Sequence, residues 1–131
     1  MQGKLIRQIG LENGLTLELF DGSRPVTKDR WLVSFSARIE VEVKREYFEG
    51  TYTADFPFED LHAKVGAKAV YLYEKTRNVI ADAEKDTIFN GLKERFLNAS
   101  IAYLSRPDFP RKLILRKYQE AQAQGSPWKR H

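Results

Sequence analysis

From Trp31 to Lys44 the chain alternates between apolar and polar residues. Trp31, Val33, Phe35, Ala37, Ile39, Val41 and Val43 share one parity; Leu32, Ser34, Ser36, Arg38, Glu40, Glu42 and Lys44 share the other. Successive side chains on a strand point to opposite faces, so this pattern predicts a long antiparallel strand with one oily face and one mostly wet face. A helix would smear both sets around its circumference. The other elements are read relative to this stretch.

Upstream, Leu5, Ile9 and Leu11 lie on one parity, and Leu15, Leu17 and Leu19 on one face of the next segment, with Glu12-Asn13-Gly14 between them as a hairpin signal. A two-residue loop at Asn13-Gly14 would put the two leucine sets on opposite faces. A three-residue loop, Glu12 to Gly14, pairs Leu11 with Leu15 and Ile9 with Leu17 and collects them on one side, with Gly14 left-handed as a bulge residue. Asp21 to Pro25 is turn-rich, and Thr27-Lys28-Asp29 is a second turn candidate; the second strand can reach the latter before the chain reverses into Trp31. The simplest arrangement is a meander of three antiparallel strands.

Arg45 to Phe56 holds Tyr47, Phe48, Tyr52 and Phe56 around Glu49-Gly50, and its pattern fits a small hairpin, an irregular strand continuation or an ordered loop. Phe58 to Val65 reads as a short helix with Asp55 as a candidate cap, Pro57 near its start, Glu59 and Asp60 at its positive end and Gly66 to stop it. Ala69 to Lys75 is a fourth strand with Val70 and Leu72 on one side and Tyr71 and Tyr73 on the other, an inner or helix-covered strand by that pattern. A long helix follows from about Asp82 to about Ser105. Its stripe is Ile88, Leu92, Phe96, Ala99 and Tyr103, with Phe89 beside it, and Asp82, Glu84 and Asp86 suit its dipole. Arg106-Pro107 stops it, and a second helix runs from about Phe109 to Gln122, capped by Asp108 with Pro110 in its first turn.

These elements predict an α+β layer: an antiparallel sheet of about four strands against the long helix, with a short helix before the last strand and a second helix near the C-terminus. Residues 1–122 are expected to form a single domain and residues 123–131 a polar, flexible tail. The pattern LENGLTLELFDGSR, followed by DRWLVSFSARI and then EKTRNVI, resembles short bacterial proteins of a family with no assigned function. The resemblance covers most of the chain. It implies a small cytoplasmic bacterial domain and carries no active site across.

Composition removes several chemistries. There is no cysteine among the 131 residues, which excludes a disulfide, a thiolate nucleophile and a cysteine metal site. The start MQGKLIRQIG lacks the apolar core of a signal peptide and no run reaches membrane-span length, so a soluble cytoplasmic protein without membrane contact is expected. Two histidines, His62 and His131, are too few for a structural zinc site. No GxSxG, glycine-rich phosphate loop or serine–histidine–acid framework is present. The acids Glu40, Glu42, Glu74, Asp82, Glu84 and Asp86 sit on a wet strand face, in a strand or at a helix start. No catalytic, cofactor or metal residue is therefore assigned.

The net charge of +4 is concentrated at the end: Arg106 to His131 holds seven cations and two carboxylates. Arg111, Lys112, Arg116 and Lys117, extended by Lys129 and Arg130 with Trp128 for stacking, form a candidate anion or nucleic-acid contact. Cations at a helix C-terminus also suit its dipole, which is the simpler account. Leu97, Ile101 and Leu104 lie roughly opposite the main stripe of the long helix and form a candidate protein-contact patch, with the next helix as the nearest candidate to cover it. The reading is thus a small non-enzymatic domain acting through protein contacts, with an unidentified partner or as a homodimer. Nucleic-acid or ribosome-associated binding through the basic segment is the alternative.

Overall fold

The computed structural model describes residues 3–49 and 57–124. It is an α+β fold with five strands in one antiparallel sheet and three α-helices. The strands are β1 (Lys4–Gly10), β2 (Thr16–Asp21), β3 (Arg24–Thr27), β4 (Arg30–Glu42) and β5 (Lys68–Ala81); the helices are α1 (Phe58–Val65), α2 (Lys85–Leu104) and α3 (Phe109–Gln124). Two compact units divide the chain: Met1–Ile39 with Leu72–Arg106, and Glu40–Tyr71 with Pro107–His131.

In the first unit β1 and β2 form the expected hairpin. Ile9 pairs with Leu17, and Leu11 N–H donates to Leu15 O at 2.8 Å across the three-residue loop. Gly14 takes φ +89°, a conformation that costs a residue without Cβ little. A bulge between Leu5 and Arg7 then sets Leu5 opposite Phe20, so Leu5 leaves the face of Ile9 and Leu11.

The sheet has five strands where four were expected, because Gly22-Ser23 interrupts the second one. Leu17 pairs with Ile39 and Asp21 with Phe35, and Arg24 pairs with Leu32 and Pro25 with Trp31. The register is unchanged across the break, so β3 continues the ladder of β2 along one edge of β4. The gap is bridged locally: Gly22 N–H donates to Ser34 O and Ser34 N–H to Ser23 Oγ, each at 3.0 Å. β5 takes the other edge of β4. It is longer than Ala69 to Lys75, and it is a helix-covered edge strand rather than an inner one.

The oily parity of β4 is enclosed as expected, with Val33, Phe35, Ala37 and Ile39 fully buried together with Leu17 and Leu19 of β2. The ring of Phe35 lies 5.9 Å from Phe89, 5.6 Å from Phe96 and 6.2 Å from Tyr73, so α2 covers this face. At its start, Trp31 Nε1 donates to Asp82 Oδ1 at 2.8 Å, and Lys85 Nζ stands 5.1 Å over the Trp31 ring. At its end, Asn13 Nδ2 donates to the carbonyls of Leu104 and Arg106, each at 2.9 Å, while its Oδ1 accepts Leu15 N–H at 3.1 Å. One side chain therefore shapes the first hairpin and satisfies both the last carbonyl of α2, which lacks an intrahelical donor, and a carbonyl of the turn that follows.

In the second unit Val41, Val43, Leu61, Ala69, Phe109, Leu113, Ile114 and Tyr118 are buried, and α1 packs on α3. Part of the ambiguous segment is a 3-10 helix, Arg45–Phe48; residues 50–56, including the candidate cap Asp55, lie outside the described residues. Pro57 occupies the N-cap of α1 without a side-chain hydrogen bond, and Gly66 ends the helix at φ +96°. Arg45 ties the 3-10 turn to α1, donating to Glu59 at 2.7 Å and lying 4.6 Å over the ring of Phe58.

Two stability outcomes follow from this geometry. Asn13→Asp keeps the acceptor for Leu15 N–H but turns a carboxylate toward two carbonyls. It should cost about 1–3 kcal/mol in urea denaturation, and an unchanged midpoint would show that the donor is idle. Val79 sits in the left-handed region at φ +58° while its side chain is 72% exposed, so strain there is offset by no buried contact. Val79→Asn should raise stability by roughly 0.5–1 kcal/mol, read as a higher melting temperature; a lower one would contradict the strain.

Candidate functional site

The face of the first unit's sheet opposite α2 departs most from its sequence pattern. Leu5 pairs with Phe20, and Phe20 with Ser36, so these three side chains form one row across β1, β2 and β4. Tyr73 faces α2, which turns Leu72 and Glu74 to the same outer side. The wet parity of β4 is not fully wet: Ser34 and Ser36 are buried, Ser36 at 1% exposure, and Leu32 and Arg38 are half-buried. Short serines lie low between the larger residues of neighbouring strands, and those larger residues carry the exposure. Leu72 is 54% exposed and Leu5 43%.

A hollow of about 310 Å³ opens on this face. Leu32 and Ser34 line it together with Gly3, Gly22, Arg24, Glu74 and Thr76. Gly3 comes so close to the neighbouring strand that a Cβ there would lie 2.4 Å from Asp21 O, so this wall is backbone on backbone. Arg24 on β3 and Glu74 on β5 take part in no ion pair among the described residues. The other end of the face is polar and internally paired: Glu18 accepts from Arg38 and from Gln8, each at 3.3 Å.

The second unit holds a cleft of about 250 Å³ lined by Lys64, Val65, Lys68, Ala69, Val70, Lys117, Glu120 and Ala121. Each of its three ammonium groups has a carboxylate: Lys64 is 3.5 Å from Asp60, Lys68 2.9 Å from Glu40 and Lys117 3.8 Å from Glu120. The local charge is therefore balanced. Beside the cleft, the Tyr118 hydroxyl donates to Asp60 Oδ2, and Lys64 lies 5.9 Å over the Tyr118 ring. That hydrogen bond holds the Asp60 carboxyl below the usual carboxylate range and raises the Tyr118 hydroxyl.

The cations assigned from sequence do not converge. At 100° per residue Lys112 and Arg116 share the exposed side of α3, while half-buried Arg111 and Lys117 lie on opposite flanks. Lys112 Nζ is 3.3 Å from Asp108, and Lys117 is the member of the set that lines the cleft. Lys129, Arg130 and Trp128 lie outside the described residues. Of the candidate contact patch on α2, Leu104 is fully buried and Leu97 and Ile101 are half-buried. His62 is an exposed residue of α1 whose ring lies 5.9 Å from that of Phe58. Among the described residues no three of His, Asp and Glu cluster as metal ligands, and no helix is long and apolar enough to cross a membrane.

Comparisons with family models, with curated proteins and with solved structures return no match for this chain. Sequence reasoning missed the outer sheet face. The available signals were two serines inside an otherwise bulky strand and Leu72 beside Tyr73, and neither identifies a surface until the strand order is known.

The Asp60–Tyr118 bond has a pH signature. A carboxylate held low in the fold contributes stability above its unfolded value near about 4 and loses it as pH falls through the folded value. A hydroxyl held high contributes below its unfolded value near about 10 and loses it as pH rises through the folded value. Tyr118→Phe should therefore destabilise the protein at pH 7, with the deficit shrinking in acid below about pH 4. Urea midpoints of both proteins across that range provide the check, and a deficit that persists in strong acid would assign the effect to packing instead.

Proposed function

We propose that this chain is a non-enzymatic interaction domain that makes protein contacts through the outer face of its first unit's sheet. The observation that carries the reading is the exposure of Leu5 and Leu72, with half-buried Phe20 between them, around a floor of buried serines. Large apolar side chains grouped at a shallow, well-defined surface favour burial by roughly 25 cal/mol per Å² removed from water, and grouping distinguishes them from scattered surface apolars. The flanking charges Arg24 and Glu74 and the hydroxyl of Thr76 supply a polar rim.

Nucleic-acid binding through Arg111, Lys112, Arg116 and Lys117 has less support. Counter-ion release needs several cations free to meet phosphates along one track. Here Lys112 and Lys117 each have a carboxylate within 4 Å, and the four residues point three ways around α3.

A photo-crosslinking amino acid at position 72, with position 102 on the exposed side of α2 as control, tests the reading in cells producing the full chain. The expected result is a discrete protein adduct at 72, none at 102, and loss of the adduct when Phe20→Asp is added. Equal labelling at both positions, or no adduct at 72, would overturn it.

A further inference from the structure

We infer that the occupant of this outer face is a second copy of the same chain, related by a two-fold axis that passes over Ser34; this rests on the interaction-surface reading above. Arg24 on β3 and Glu74 on β5 stand on opposite sides of β4, on one face, around one hollow. Neither takes part in an ion pair among the described residues. A two-fold axis running along β4 exchanges the two sides of that strand, which sets Arg24 of each copy against Glu74 of the other. Two reciprocal ion pairs form from one unpaired couple, the signature of an isologous contact.

The apolar residues obey the same operation. Phe20 lies on the β2 side of β4 and Leu72 on the β5 side, so each meets the other's counterpart across the axis. Ser34 and Ser36 at the centre are short enough to let two sheets approach. An unrelated partner would have to bring a matching apolar and charge pattern, whereas a second copy carries it already. Edge-to-edge pairing along β5 is disfavoured, because Lys75 and Arg77 are exposed on that strand and like charges there resist strand addition.

Area sets the affinity. Four strand positions at about 4.8 Å spacing and six residues at about 3.3 Å rise give a footprint of roughly 300–400 Å² per copy. That is about half of a standard interface, so association in the micromolar to millimolar range is expected.

Sedimentation velocity of the full chain from about 1 μM to 1 mM, at low salt so that surface ion pairs are little screened, reads this directly. The wild type should pass from monomer to dimer within the range. Arg24→Glu and Glu74→Arg should each weaken association at least about tenfold, and the double variant R24E/E74R should restore it to within about threefold, with circular dichroism confirming that each variant is folded. A strict monomer at every concentration, single variants without effect, or a double variant without rescue would each overturn the inference. A position-72 adduct at a mass other than twice that of the chain would do so as well, while leaving the interaction surface itself standing.

Discussion

A strand that buries a ring on one side also decides what its other side can hold. Phe35 sits among Phe89, Phe96 and Tyr73, and that cluster locks β4 in one register against α2. A one-residue slip would carry Val33, Phe35, Ala37 and Ile39 to the opposite face, which the burial of four side chains forbids. The same lock turns Leu32, Ser34, Ser36 and Arg38 outward. The neighbours on either edge then inherit their orientation, so Phe20, Arg24 and Leu72 share the outer face through hydrogen-bonded pairing and strand alternation.

The period-two pattern of β4 and the three-residue hairpin loop were readable from residues alone, because both rest on local parity. The three helices were readable from spacing and breakers, but α2 begins at Lys85 after a 3-10 turn at Asp82–Glu84, and Ala99 and Tyr103 of its expected stripe are exposed while Leu104 is buried. What escaped was set by pairing over distance. The break at Gly22-Ser23 looks like an ordinary turn, and the ladder resumes only because Ser34 supplies both an acceptor and a donor twelve and eleven residues later. The length of β5 was also hidden, since Glu74 to Asn78 is polar and carries no apolar alternation. It is a strand by virtue of its position beside β4.

The candidate surface was legible only in fragments. Arg24 and Glu74 are far apart in sequence, and their shared hollow depends on which strands flank β4. The basic run at the C-terminus shows the converse. Sequence proximity made Arg111, Lys112, Arg116 and Lys117 look like one feature, but helical geometry distributes them around α3 and nearby carboxylates pair with two of them. Local charge density is a poor guide to a binding site where each cation can find an anion in the fold.

Asn13 has a consequence for synthesis of the chain. Its amide group needs the carbonyls of Leu104 and Arg106, 91 and 93 residues further on. The first unit is likewise assembled from two stretches separated by the whole span from Glu40 to Tyr71. A nascent chain can close the early hairpin on its own, but the helix that covers the oily side of β4 leaves the ribosome only after all five strands. Until then Phe35 and its neighbours are uncovered, so the interval before residue 106 emerges is when this protein is most exposed to aggregation and most dependent on chaperones.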